Sequence, residues 1–64
     1  MRQTSEQRRI DIMRILEANR GTWIRQQQIA DALGVKQQTV SKRIAELRKM
    51  GKIRREARRG YQVI

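Results

Sequence analysis

The chain has no cysteine and no histidine in its 64 residues. Neither a disulfide nor a thiolate or imidazole zinc site can therefore brace it. No run of apolar residues is longer than two, which argues against a membrane span and against the apolar stretch of a secretory signal. Acids are scarce and scattered singly at Glu6, Asp11, Glu17, Asp31, Glu46 and Glu56. Paired carboxylates for acid–base chemistry cannot be placed, and a glycine-rich phosphate loop is missing as well. An enzyme is not expected, nor is a cofactor or a metal. A chain this short buries only about 60% of the surface its unfolded form exposes. Little core is left over to form a pocket, so no small-molecule ligand is expected.

What the chain has in excess is positive charge. Sixteen Lys and Arg against six acids give a net charge of +10. Residues 1–35 carry six bases and four acids, a net +2, whereas residues 36–64 carry ten bases and two acids, a net +8. A compact basic region of this kind raises the local concentration of polyanions, which makes nucleic acid the first partner to consider. A membrane surface fits less well. Membrane-surface helices pair basic residues with a broad apolar face bearing Trp, Phe or Leu, and the one Trp, Trp23, lies outside the basic half.

Periodicity divides the chain into short elements. Thr4 and Gln7 fit a capping box, with Glu6 near the positive end of the helix they open. The spacing predicts a helix over 4–19, with Ile12, Met13, Ile15 and Leu16 on one buried stripe and Ile10 off it. Asn19, Arg20 and Gly21 end that helix, and Thr22, Trp23 and Ile24 favour a short strand over 22–24. A second helix is predicted over 26–33, with Ile29, Ala30 and Leu33 inward, closed by Gly34. A third is predicted over 37–50, with Val40, Ile44 and Leu47 inward. Lys52–Ala57 and Tyr61–Ile64 read as a hairpin spanning 52–64, turning at Arg58, Arg59 and Gly60. The fold class is mainly α (α+β): a three-helix bundle with a short strand and a C-terminal β-hairpin, one domain over 1–64. The glutamine triplet at 26–28 is the only low-complexity tract. Trp23 and Tyr61 are expected in the core, since so small a domain needs its aromatics for packing.

The informative spacing is Ala30, Gly34, Val35, Val40 and Ile44. Ala30 is small enough for the second and third helices to approach closely, and Gly34 can take the positive φ that turns the chain between them. Burial of Ile44 and Leu47 leaves Gln37, Gln38, Ser41, Lys42 and Ala45 on or near the outer face of the third helix. An α-helix fits the major groove of B-DNA, where its N-terminal residues reach base edges.

The segments Gln28–Val35, Thr39–Ile44, Leu47–Gly51 and Gly60–Tyr61 resemble winged helix-turn-helix domains, those at the N-terminus of the biotin repressor and in DeoR-type regulators. The resemblance implies a regulator that binds double-stranded DNA, with the third helix in the major groove and the hairpin as a wing on backbone or minor groove. It also allows a homodimer on DNA; with no long apolar run in the chain, a cytoplasmic, nucleoid-associated location is expected. Gln37 and Gln38 suit adenine, Lys42 suits guanine, and Ser41 completes the base-contact set, with Ala45 able to touch a thymine methyl. Arg58 and Arg59 are the expected wing contacts; Arg54 and Arg55 either support the wing or guard an edge strand. Arg43 and Thr39 complete the backbone contacts.

The sequence departs from the family at two helix starts. Where Ser or Thr is common, it has Arg25 and Lys36. Losing a capping side chain costs about 1 kcal/mol, and a cation at the positive helix end adds to that. A DNA phosphate at those helix ends would be held by backbone N–H groups and the new charge together, so both residues are expected to be phosphate clamps. Binders of left-handed nucleic acid are also winged helices, but the asparagine and tyrosine they read with align with Ser41 and Ala45. An architectural DNA binder, or an interaction module docking an acidic protein, remains the alternative function.

Overall fold

A computed structural model describes residues 4–64, so the first three residues of the expected 1–64 domain lie outside the described residues. Three helices precede a two-stranded antiparallel hairpin: α1 (Ser5–Ala18), α2 (Gln26–Leu33), α3 (Gln37–Lys49), β1 (Ile53–Glu56) and β2 (Gly60–Val63). The winged helix-turn-helix arrangement is present.

Thr4 caps α1, its Oγ1 accepting from the Gln7 backbone N–H at 3.0 Å. The reciprocal half of the expected capping box does not form. Gln7 turns its amide down the helix and donates from Nε2 to Asp11 Oδ1 at 3.0 Å, a neighbour one turn away on the same face.

Ile12 and Leu16 of α1 pack with Ile29 and Ala30 of α2, Val40, Ile44 and Leu47 of α3, Ile53 and Val63 of the hairpin, and Ile24. Met13, Ile15, Leu33 and Val35 are only partly buried at its edge. The core is thus narrower than the apolar pattern suggests, because a 14-residue helix crossing two others can seat only its central stripe.

The turn between α2 and α3 is set by backbone geometry. Gly34 sits at φ 67°, a left-handed conformation that costs L-residues with a Cβ about 1 kcal/mol or more. Its N–H donates to the Asp31 carbonyl at 3.2 Å, and the Val35 N–H donates to the Ala30 carbonyl at 3.0 Å. This Schellman pairing satisfies two carbonyls that the end of α2 would otherwise leave open, and it drives Val35 back towards the core.

In the hairpin Ile53 pairs with Val63, Arg54 with Gln62, Arg55 with Tyr61 and Glu56 with Gly60. The strand expected over 22–24 shrinks to a single bridge, Ile24 with Tyr61, made by two hydrogen bonds of 2.8 and 2.7 Å. Pairing stops there because Arg25, the next residue, is the N-cap of α2 and the chain turns into the helix at Gln26.

Trp23 is not in the core. It is half-buried, with the Arg54 guanidinium 5.4 Å from its ring centroid, a cation–π distance. The same guanidinium donates from Nε (3.2 Å) and Nη2 (2.7 Å) to Oε1 of Gln62, the one buried polar residue of the described chain. Tyr61 does pack on the core, as a partly buried residue. Arg54 therefore satisfies a buried amide and covers the indole.

Candidate nucleic-acid interface

The inner face of α3 is closed by Val40, Ile44 and Leu47, while Gln37, Gln38, Thr39, Ser41, Lys42 and Ala45 are exposed. Outward positions spaced at three and four residues make a polar, basic ridge on which Ala45 leaves room for close approach. The two flanks of this ridge are built from other parts of the chain.

On one flank, the N-terminal turn of α1 comes alongside. Thr4, Ser5 and Arg8 face Gln38, Thr39, Ser41, Lys42 and Arg43 across a shallow groove. Sequence reasoning did not place Arg8 or the α1 N-terminus here. No local signal marks a contact between segments more than thirty residues apart. Deeper along the same contact, Glu46 Oε1 accepts from Arg9 Nη1 at 2.8 Å and forms an ion pair with Arg43, whose Nε lies 3.2 Å away. Arg43 lies with only 18% of its side chain exposed. Its guanidinium is therefore shared between an internal carboxylate and the groove.

On the other flank, the glutamine triplet acquires three separate roles. Gln28 Oε1 accepts from the Arg25 backbone N–H at 2.9 Å, closing the start of α2. Gln26 Nε2 donates to the Gln37 carbonyl at 3.0 Å and so fixes the start of α2 against the start of α3. Gln27 donates to Asp31 Oδ1 at 2.7 Å and accepts from Gln37 Nε2. The Gln37 side chain is thereby oriented. An amide nitrogen carries two hydrogens, so Gln37 retains one N–H and its carbonyl oxygen for an outside partner.

Arg25 and Lys36 stand at the starts of α2 and α3 in extended conformation, and neither side chain caps its helix. A guanidinium and an ammonium have no acceptor to offer a backbone N–H. Both side chains are exposed. Arg25 makes a contact the sequence did not disclose: its Nη2 donates to the Arg58 carbonyl at 3.4 Å. A second groove follows, lined by Arg25, Gln26, Arg55, Arg58, Gly60 and Tyr61 among others. Arg58 and Arg59 are exposed in the hairpin turn.

These contacts run continuously from the α1 N-terminus across α3 to the α2 N-terminus and the hairpin turn, and this route carries Arg8, Lys42, Lys36, Arg25 and Arg58. Along it Asp31 and Glu46 are held in the hydrogen bonds and ion pairs just described, while a third acid, the exposed Glu56, lines the groove at the hairpin turn. Such a surface presents positive charge and amide donors to an extended polyanion. Among the described residues no group of His, Cys, Asp and Glu could hold a metal ion, and no helix is long and apolar enough to cross a membrane.

The sequence model of a helix-turn-helix (HTH) domain family matches residues 8–62. The chain belongs to this family of DNA-binding domains. Neither the curated proteins nor the solved structures compared with it give a match.

Proposed function

We propose that this domain reads the sequence of double-stranded DNA as the binding module of a transcriptional regulator. In this reading α3 enters the major groove, Gln37, Gln38, Ser41 and Lys42 meet base edges, and the hairpin lies on backbone or in the minor groove. Arg25, Lys36, Thr39, Arg43, Arg58 and Arg59 hold the flanking phosphates or groove walls. The observation that carries it is the outer face of α3: exposed, polar and basic, and bordered by a groove against α1 and, through Gln26 and Arg25, by the hairpin turn. An α-helix is the element the major groove admits, and phosphate contacts on either side would set its register.

The Gln27–Gln37 contact supports base reading over mere charge attraction. A free surface glutamine loses side-chain entropy when it binds, whereas one already held by a neighbour loses less. An amide that keeps a donor and an acceptor free matches the N7 and N6 edge of adenine.

The test is selection from a randomised duplex library, followed by affinity measurement on the best site and on scrambled DNA over a salt series. A short enriched motif, with a log–log salt slope of about −4 to −6, is the expected result. A slope without a motif would reduce the function to architectural DNA binding or docking of an acidic protein.

A further inference from the structure

The polar route across α3 leaves one side of α1 unused. Arg8 and Ile10 are two residues apart, which on a helix places them on nearly opposite sides. Arg8 faces the groove beside α3, whereas Ile10 points away from it at 40% exposure. Beside Ile10 lie half-buried Met13 and, from the end of α3, Met50 at 57% exposure; all three line one shallow groove. A lone surface apolar residue is ordinary, but three together on so small a domain form a patch.

Glu6, Arg9, Arg14, Glu17 and Lys52 are the charged residues lining that groove; Arg9 is paired with Glu46, and Glu6 and Arg14 stand symmetrically about Ile10. Glu6 is four residues before Ile10 and Arg14 four residues after it, all three on one face of α1. Both charged residues are exposed, and neither is in an ion pair among the described residues. α1 as a whole carries three acids and three bases, whereas α3 carries four bases and one acid. In a chain of net charge +10, α1 is the helix on which a second copy could settle without like-charge repulsion.

We propose that this strip is a contact between two copies of the chain. The copies meet through antiparallel α1 helices about a two-fold axis at Ile10. Ile10 packs on the partner's Ile10, Glu6 faces the partner's Arg14, and Arg14 faces the partner's Glu6. Met13 and Met50 widen the apolar seam to one side. A two-fold interface must be self-complementary, and an acid and a base at equal distances on either side of an apolar centre meet that condition. The reading ridge of α3 stays open, because its groove and the seam have no residue in common. The seam is small against the ~1,200 Å² of surface that a stable complex buries. Association in free solution is therefore weak, and it strengthens when two copies occupy neighbouring sites on one duplex, where the effective concentration is high.

This proposal adds a face to the reading above and does not depend on base recognition, so it is tested without DNA. Sedimentation equilibrium of the whole chain is compared for wild type, Glu6→Arg, Arg14→Glu, the double variant, and an equimolar mixture of the two single variants. Each single variant places like charges opposite each other twice and weakens self-association at least tenfold. The double variant returns to within about threefold of wild type. The mixture associates although neither component does alone, because a heterodimer restores both opposite-charge contacts. A wild-type chain that stays monomeric to millimolar concentration overturns the proposal. So do single variants that associate like wild type, or a double variant and a mixture no better than the singles. Circular dichroism of each variant establishes that the folds are intact, and loss of sequence-selective DNA binding would leave these results unaffected.

Discussion

Gly60 lies against the backbone of Ile24. A Cβ added at Gly60 would stand 2.4 Å from the Ile24 carbonyl oxygen and 2.7 Å from its carbon, and the Gly60 φ is +115°. Ile24 is also the residue bridged to Tyr61, next along from Gly60. The absence of one side chain lets the hairpin reach the segment between α1 and α2.

Gly60→Ala is therefore expected to cost more than Gly34→Ala. At Gly34 a Cβ would meet nothing within 4 Å, leaving only the strained φ of +67°, about 1 kcal/mol. At Gly60 strain and a backbone collision add, for a loss of about 2–4 kcal/mol. Thermal unfolding checks this, with Gly60→Ala lowering the midpoint by ~10 °C or more. Equal midpoints for the two variants would contradict it.

Lys36→Ser gives α3 the capping oxygen it lacks. The free domain gains about 0.5–1 kcal/mol, while DNA binding weakens and the log–log salt slope becomes shallower by about 1. Denaturant unfolding and duplex titration read the two effects separately. A variant unchanged in both would remove the phosphate-clamp role.

Gln27→Ala removes the group that holds the Gln37 amide. Gln27 is exposed, so stability changes by less than about 0.5 kcal/mol. Affinity for the best selected site falls about fivefold to tenfold, and affinity for scrambled DNA stays as it was. Competition binding distinguishes this from a uniform loss, which would make Gln27 a contributor to general affinity only.

Glu46→Gln breaks the charge contacts to Arg9 and Arg43. All three side chains keep some exposure, at 40%, 26% and 18% for Glu46, Arg9 and Arg43, so the stability loss is about 1 kcal/mol or less. DNA affinity at low salt rises several-fold, since the one acid of the reading helix is neutralised and Arg43 is released. Fluorescence titration at two salt concentrations checks the direction.

Much of the architecture was legible in the sequence because it follows from local rules. Apolar spacing of three and four residues marks the inner faces of the helices, seen in Ile12 with Leu16 and Val40 with Ile44 and Leu47. Gly34 marks the turn, since no other residue takes a left-handed conformation as cheaply. The half-burial of Trp23 is not legible locally, because aromatic burial is decided by what lies above the ring, and Arg54, thirty-one positions away, takes that place. The expected strand over 22–24 is a single bridge for a similar reason. β-propensity favours an extended chain, but the number of pairs depends on how much partner strand faces it, and Tyr61 faces only Ile24.

The sequence by itself determined the three helices and the hairpin, the polar outer face of α3 and the concentration of charge in the second half. Those features arise from periodicity, capping and composition, which act over a few residues. Only the tertiary structure decided that Arg8 joins the α3 face, that Arg25 reaches the Arg58 carbonyl, and that Gln26, Gln27 and Gln28 hold three different partners. Only it decided that Arg43 is bound to Glu46 while Ile10, Met13 and Met50 line one groove. Each of these joins segments far apart along the chain, and such contacts form only when burial of the common core has fixed the helices relative to one another.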